Sequence, residues 1–244
     1  MVIVKNKKCS EEKIRKEYPN VVIVDVTSHA RDEMVMLSPF YPHGGIPVPF
    51  SKGWTAMSVE SIWQGLKVFE SAGVDTALFR NSTMQNLKRT VRKYGKPRGH
   101  RKGVCGSELL GYIEARKLIY VPTYKWMLEH KAKSLVERLK ELAKTKTVVL
   151  LDYDTNPDVE NPASPLSHAS LIKAYIDGNY PVYEGSEQSE VQEEVHYDFS
   201  VGQKVKHPKF GEGVIKAMDG NRVTVTFRDG DKLLSLRLAK LEAI

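Results

Sequence analysis

Glu60, Gln64 and Lys67 recur at i, i+4 and i+7, the spacing that places side chains on one face of an α-helix. A carboxylate, an amide and an ammonium in one row can hold an oxygen-rich ligand or move a proton. A plain solvated helix face carries the same row, so spacing alone leaves both readings open. Trp54 and Trp63 flank the row and offer aromatic surface on which a planar base can stack. Asp152 and Asp154 close an apolar run, Val148-Val-Leu-Leu-Asp-Tyr153. Acids at the carboxyl end of a strand are a recurrent ligand position in α/β folds, although a strand-end turn uses the same residues.

Charge adds a second kind of chemistry. The 244 residues carry 37 Lys and Arg against 30 Asp and Glu, a net charge of +7. Nine of the bases fall between Arg80 and Lys102, where there is no acid. Such a block attracts phosphate, whether on a nucleotide or on a polynucleotide. Its tail, Gly95-Lys-Pro-Arg-Gly-His-Arg-Lys-Gly103, reads as a loop that an anion can approach closely. From Glu184 to Glu194 the sign inverts, with five Glu and no base.

These residues need elements to position them. Val21-Val-Ile-Val-Asp-Val26 and the run from Val148 to Tyr153 read as buried strands. Ser58 is an N-cap for a helix running to about Ser71, with Val59, Ile62, Trp63, Leu66 and Phe69 as its apolar stripe. The segment Leu37 to Phe50, with four prolines and two glycines, is irregular and placed to form a cleft wall. Leu128, Ala132, Leu135, Leu139 and Leu142 predict one long amphipathic helix. Ser164-Pro165 opens a further helix that ends at Gly178. After an acidic linker, four short strands follow at 201–205, 213–217, 222–227 and 232–236, with Asp219-Gly220 and Asp229-Gly230 as turns.

Two resemblances refine this reading. Leu37-Ser-Pro-Phe-Tyr-Pro42, then Trp54-x-x-x-Ser58-Val-Glu-x-x-Trp63-Gln-x-x-Lys67, resembles the opening of NADAR proteins. The resemblance spans about 35–178. It departs where no Trp follows Asp154 and where the last helix carries Pro165-Leu-Ser-His168. It implies an N-glycosidase acting on ribosylated bases or nucleotide-like metabolites. Glu60, Asp152 and Asp154 would then be the catalytic set. Tyr41, Trp54, Trp63, Gln64, Lys67, Arg98, His100, Arg101 and Trp126 would bind substrate. Val205-x-His207-Pro208-x-Phe210-Gly211-x-Gly213-Val214 resembles the Tudor-like tail of UvrD-type helicases. It implies an SH3-like barrel that docks a nucleic acid or a transcription or repair protein.

The expected architecture is therefore α+β. A mostly helical NADAR-like domain with a small sheet covers 1–183, an acidic linker covers 184–197, and a small SH3/Tudor-like β-barrel covers 198–244. No cofactor or metal is expected, because His43, His100, His130 and His168 match no ligand spacing. Cys105 has no base partner in sequence. Two cysteines, no long apolar run and no signal-like N-terminus predict a cytoplasmic protein without a membrane partner.

Overall fold

A computed structural model describes residues 1–186, 199–219, 222–235 and 241–243. The chain divides into two compact units, Met1–Val191 and Gln192–Ile244.

In the first unit, β1 (Val2–Asn6) leads to α1 (Glu11–Glu17), capped by the Ser10 side chain. Next come β2 (Val22–Asp25), the short pair β3 (Ile46–Pro47) and β4 (Thr55–Ala56), and α2 (Val59–Leu66). After these lie β5 (Lys67–Phe69), α3 (Val91–Tyr94), β6 (Pro97–Arg101) and β7 (Leu109–Leu110). Then α4 (Tyr112–Ala115), a π-helical turn (Arg116–Tyr120) and α5 (Val121–His130) run on without leaving helical backbone. The unit closes with α6 (Lys133–Thr145), β8 (Val148–Asp152) and α7 (His168–Ile176).

The frame is a parallel sheet ordered β1-β8-β2. Strand β8 is central and buried throughout, as its unbroken apolar run requires of a parallel strand covered on both faces. Its side chains alternate between two cores. Val148 and Leu150 join the main core with Ile62, Leu66, Tyr124 and Leu128, whereas Val149 and Leu151 pack with Ile14 of α1 and Val21. Gly65 lets α2 approach its neighbour closely, since a Cβ there would lie 2.3 Å from Phe79.

The second unit adds β9 (Lys204–His207), β10 (Gly211–Asp219), β11 (Arg222–Phe227), β12 (Gly230–Ser235) and β13 (Glu242–Ala243). They form one antiparallel sheet ordered β12-β11-β10-β9-β13 over a core of Val205, Ile215, Val223, Val225 and Phe227.

Several expectations are corrected. The first domain is not mostly helical: the described residues of the protein are 32% helical and 24% strand, with open sheets. The missed strands are short and lack alternation. Thus β6, Pro97-Arg-Gly-His-Arg101, reads as a loop by composition yet pairs with β5 and β7. The second unit is not a closed barrel, because β12 and β13 are opposite edges of its sheet among the described residues. The helix expected to reach Ser71 stops at Leu66, and extended backbone at Lys67 begins β5. The long helix from Leu128 is two helices with a break at Lys131–Ala132. The last helix is capped by Ser167, one turn later than the Ser164-Pro165 start. The acidic linker falls largely outside the described residues, as does part of the Asp219-Gly220 turn.

Candidate functional site

A cavity of about 400 Å³ opens at the carboxyl ends of β2 and β8. Thr27 and Ser28 line it from β2, Asp152, Tyr153 and Asp154 from β8, and Glu60, Trp63 and Gln64 from α2. Lys67, Lys88, Tyr112, Arg116, Tyr120 and His168 complete its polar wall.

The start of α2 is fixed by a reciprocal cap, in which Ser58 and Ser61 each receive the other's backbone N–H at 3.1 Å. The Glu60 N–H donates to the Pro39 carbonyl at 2.8 Å, docking the Ser38-Pro39-Phe40 turn against the helix as a cavity wall. One turn on, the Arg89 backbone N–H donates to Gln64 Oε1 at 3.2 Å, so Gln64 must present its Nε2 to Glu60. That Nε2 donates to Glu60 Oε1 at 2.8 Å. Glu60 is 7% exposed, and burial raises its carboxyl above the ordinary 4.5 against the pull of Gln64, Lys67 and Lys88.

The cationic side has two parts. Lys67 is half-buried, and burial lowers its ammonium against the pull of the Glu60 charge, with Arg89 and Lys88 adding to the lowering. Among the described residues, neither Lys67 nor Lys88 has a carboxylate within ion-pair distance. Each ammonium instead stands 5.5 Å from a ring, Trp63 for Lys67 and Phe40 for Lys88. Arg116, 1% exposed, is committed to the wall: it donates to the carbonyls of Val159, Asn161 and Ser164 and to the Tyr112 hydroxyl.

His168 and Asp152 form a latch. His168 Nε2 lies 2.8 Å from the Val26 carbonyl, which only accepts, so that nitrogen carries a proton. Nδ1 lies 3.0 Å from Asp152 Oδ2, which also accepts from the Ser167 hydroxyl and the Ala169 N–H. Asp152 Oδ1 accepts from the Tyr153 N–H at 2.7 Å. A carboxylate with that many donors stays ionised. Burial alone would raise Asp152, but the His168 hydrogen bond and charge hold it below the usual range. Burial opposes charge on His168, yet Asp152 raises its imidazole above the ordinary 6.5. The imidazolium ties the end of β2 to β8 and α7. Asp154, two residues further along the chain, makes no such bonds among the described residues and is raised by burial and by the charge of Asp152.

Six of the sequence-predicted residues meet in this cavity: Glu60, Trp63, Gln64, Lys67, Asp152 and Asp154. The others lie elsewhere. His100 is buried behind Trp63, its ring 3.8 Å from the indole, and burial with the Lys67 charge pushes its imidazole down to about 3. Arg98 is exposed on β6, and Arg101 donates to the Gly106 carbonyl. Tyr41 packs on His43, Trp54 on Phe79, and Trp126 stacks on His130 beside a second cavity. The basic segment 95–103 therefore does not rim the site; of the larger block only Lys88 does.

Sequence reasoning missed Lys88, Arg116, Tyr120 and the latch role of His168. Pro122 was the available signal. It has no N–H and its ring would clash with the Leu118 carbonyl, so a regular helix is disturbed one turn before it. The π-helical turn, in which the Val121 N–H reaches the Arg116 carbonyl, absorbs the clash and brings Arg116 and Tyr120 to the cavity.

Among the described residues no cluster of three or more His, Cys, Asp or Glu is placed to hold a metal ion. No described helix is long and apolar enough to cross a membrane. Residues 6–172 match the family described as a family of unknown function (DUF6939). No curated protein matches the chain. The matched span takes in α2, β8 and the first half of α7, and the chain belongs to this family.

Proposed function

We propose that this DUF6939 chain hydrolyses the ribose–base N-glycosidic bond of an ADP-ribosyl or phosphoribosyl substrate. The observation that carries the reading is that Glu60, held by Gln64, shares one cavity with two lysines that, among the described residues, have no carboxylate within ion-pair distance. Water attacks the anomeric C1′ as the C1′–N bond breaks, and Glu60 accepts the proton that the water gives up. The base leaves with the bonding pair, and the proton taken up by Glu60 returns through solvent to the base nitrogen, which restores the carboxylate. Trp63, backed by His100 on one face, offers a surface to stack that base. Lys67 and Lys88 would take phosphate oxygens. Asp154 would hold ribose hydroxyls, whereas Asp152 is spent on the His168 latch.

Glu60→Gln tests the assignment. It should cut release of free base from ADP-ribosylated nucleosides by about 10²-fold or more while thermal unfolding stays in place. Full activity in that variant would remove Glu60 from the reaction.

In a second reading the large unit only binds a nucleotide and the second unit recruits a partner. It is favoured by Val214 and Leu233, 40% and 65% exposed on one sheet face that also carries Lys204. Here the partner would be a nucleic acid or a transcription or repair protein. If polynucleotide is the partner, its binding should fall steeply with added salt; binding without base release would favour this reading over hydrolysis.

A further inference from the structure

We propose that the Tyr120 hydroxyl is the hydrogen-bond donor with which this cavity grips an uncharged oxygen or nitrogen of its ligand. The identity of the probe below rests on the proposed function; the placement of the hydroxyl does not.

Tyr120 lines the cavity together with Glu60 and Trp63. The tyrosines around it are all engaged. Tyr124 donates to the Leu37 carbonyl at 2.6 Å, Tyr180 donates to the Val121 carbonyl at 2.8 Å, and Tyr112 accepts from Arg116 at 2.8 Å. Among the described residues the Tyr120 hydroxyl makes no hydrogen bond. Its ring meets Trp63 edge-on at 5.6 Å and lies parallel to Tyr124 at 6.2 Å.

The backbone under it is also unusual. Tyr120 is the last residue of the π-helical turn, a departure from α-helix that costs stability and recurs at binding sites. Pro122 accounts for the turn locally, and its outcome is that both Arg116 and Tyr120 face one hollow. Arg116 then fixes the 159–164 segment, and Tyr120 is left with an open valence. Burial and the charges of Glu60 and Asp152 push the phenol well above its ordinary 10.0, so it remains a donor across the physiological range. A neutral donor beside an anionic carboxylate suits a sugar oxygen or a base heteroatom, while phosphate is left to the lysines.

Titration calorimetry with ADP-ribose on the full chain, alongside thermal unfolding, tests this. Tyr120→Phe should weaken ADP-ribose binding about tenfold and raise KM, with little change in Tm. Tyr124→Phe should do the reverse, lowering Tm because the buried Leu37 carbonyl loses its donor, and leaving Kd in place. Equal affinity in Tyr120→Phe and wild type overturns the proposal, as does a wild-type chain that does not bind ADP-ribose. A wild type that binds ADP-ribose but releases no base defeats the hydrolase reading alone, since the two Kd values still decide the role of the hydroxyl.

Discussion

Glu60 answers to two opposed demands. Burial penalises its charge, yet a base for water must be ionised. Gln64 reconciles them by donating to one oxygen, and the Arg89 backbone fixes which way Gln64 points. Gln64→Ala should therefore lower kcat by about tenfold with a smaller change in KM, and Gln64→Glu should lose more by setting a second carboxylate beside the first. Because the Glu60 carboxyl is raised above 4.5, activity should fade as pH drops through a value higher than that, and Glu60→Gln should lack this limb. A pH–rate profile of both proteins checks it. Glu60 and Gln64 were legible because i, i+4 spacing on a capped helix is a local property. Lys67 was named for the wrong reason, since it reaches the cavity from the first residue of a strand. Arg116 and Tyr120 had only the local signal of Pro122 and Lys88 had none, for the three converge through long-range packing.

Two devices hold the elements that carry these residues. Arg89 caps α2: its guanidinium donates to the carbonyls of Gln64, Lys67 and Gly73 and lies between the Phe69 and Tyr94 rings. A base in a run of bases looked like a phosphate ligand, but its acceptors are backbone. Arg89→Met should cost roughly 2 kcal/mol of stability, read by urea unfolding, and loosen the C-terminal turn of α2. The second device is the His168–Asp152 latch. A histidine whose folded pKa is raised contributes stability that is complete below 6.5 and is lost as pH climbs through the folded value. A lowered aspartate contributes stability present above 3.8 and lost as pH falls through its own folded value. Stability from the pair should thus peak between these limits. Asp152→Asn should flatten the dependence and cost roughly 3 kcal/mol near neutrality; an unchanged Tm–pH curve would contradict the latch. Strand β8 was legible because four buried apolar residues in a row mark a covered parallel strand. Strand β1 escaped notice because only three apolar residues precede its first lysine, and β6 because Pro and Gly disguise a paired strand.

At the scale of the molecule, each unit has its own core, and among the described residues the five buried apolar residues that form the core of the second all belong to its own strands. Deleting 199–244 should leave base release by the first unit within about twofold and its unfolding transition intact; loss of both would show that the units depend on each other for folding. The change of texture after residue 198 was legible from dense turn dipeptides. Sheet closure was not, because strand count does not decide whether the two edges meet. The uneven charge was visible as well, but its destination was misplaced: the cavity takes its free cations from Lys67 and Lys88, while segment 95–103 builds a strand. A crystal structure of Glu60→Gln with ADP-ribose puts the central claim to its most direct test. The distal ribose C1′ should lie within about 4 Å of side chain 60, with the pyrophosphate towards Lys67 and Lys88. ADP-ribose seated outside this cavity, with its phosphates on Arg98 or Arg101, would contradict it.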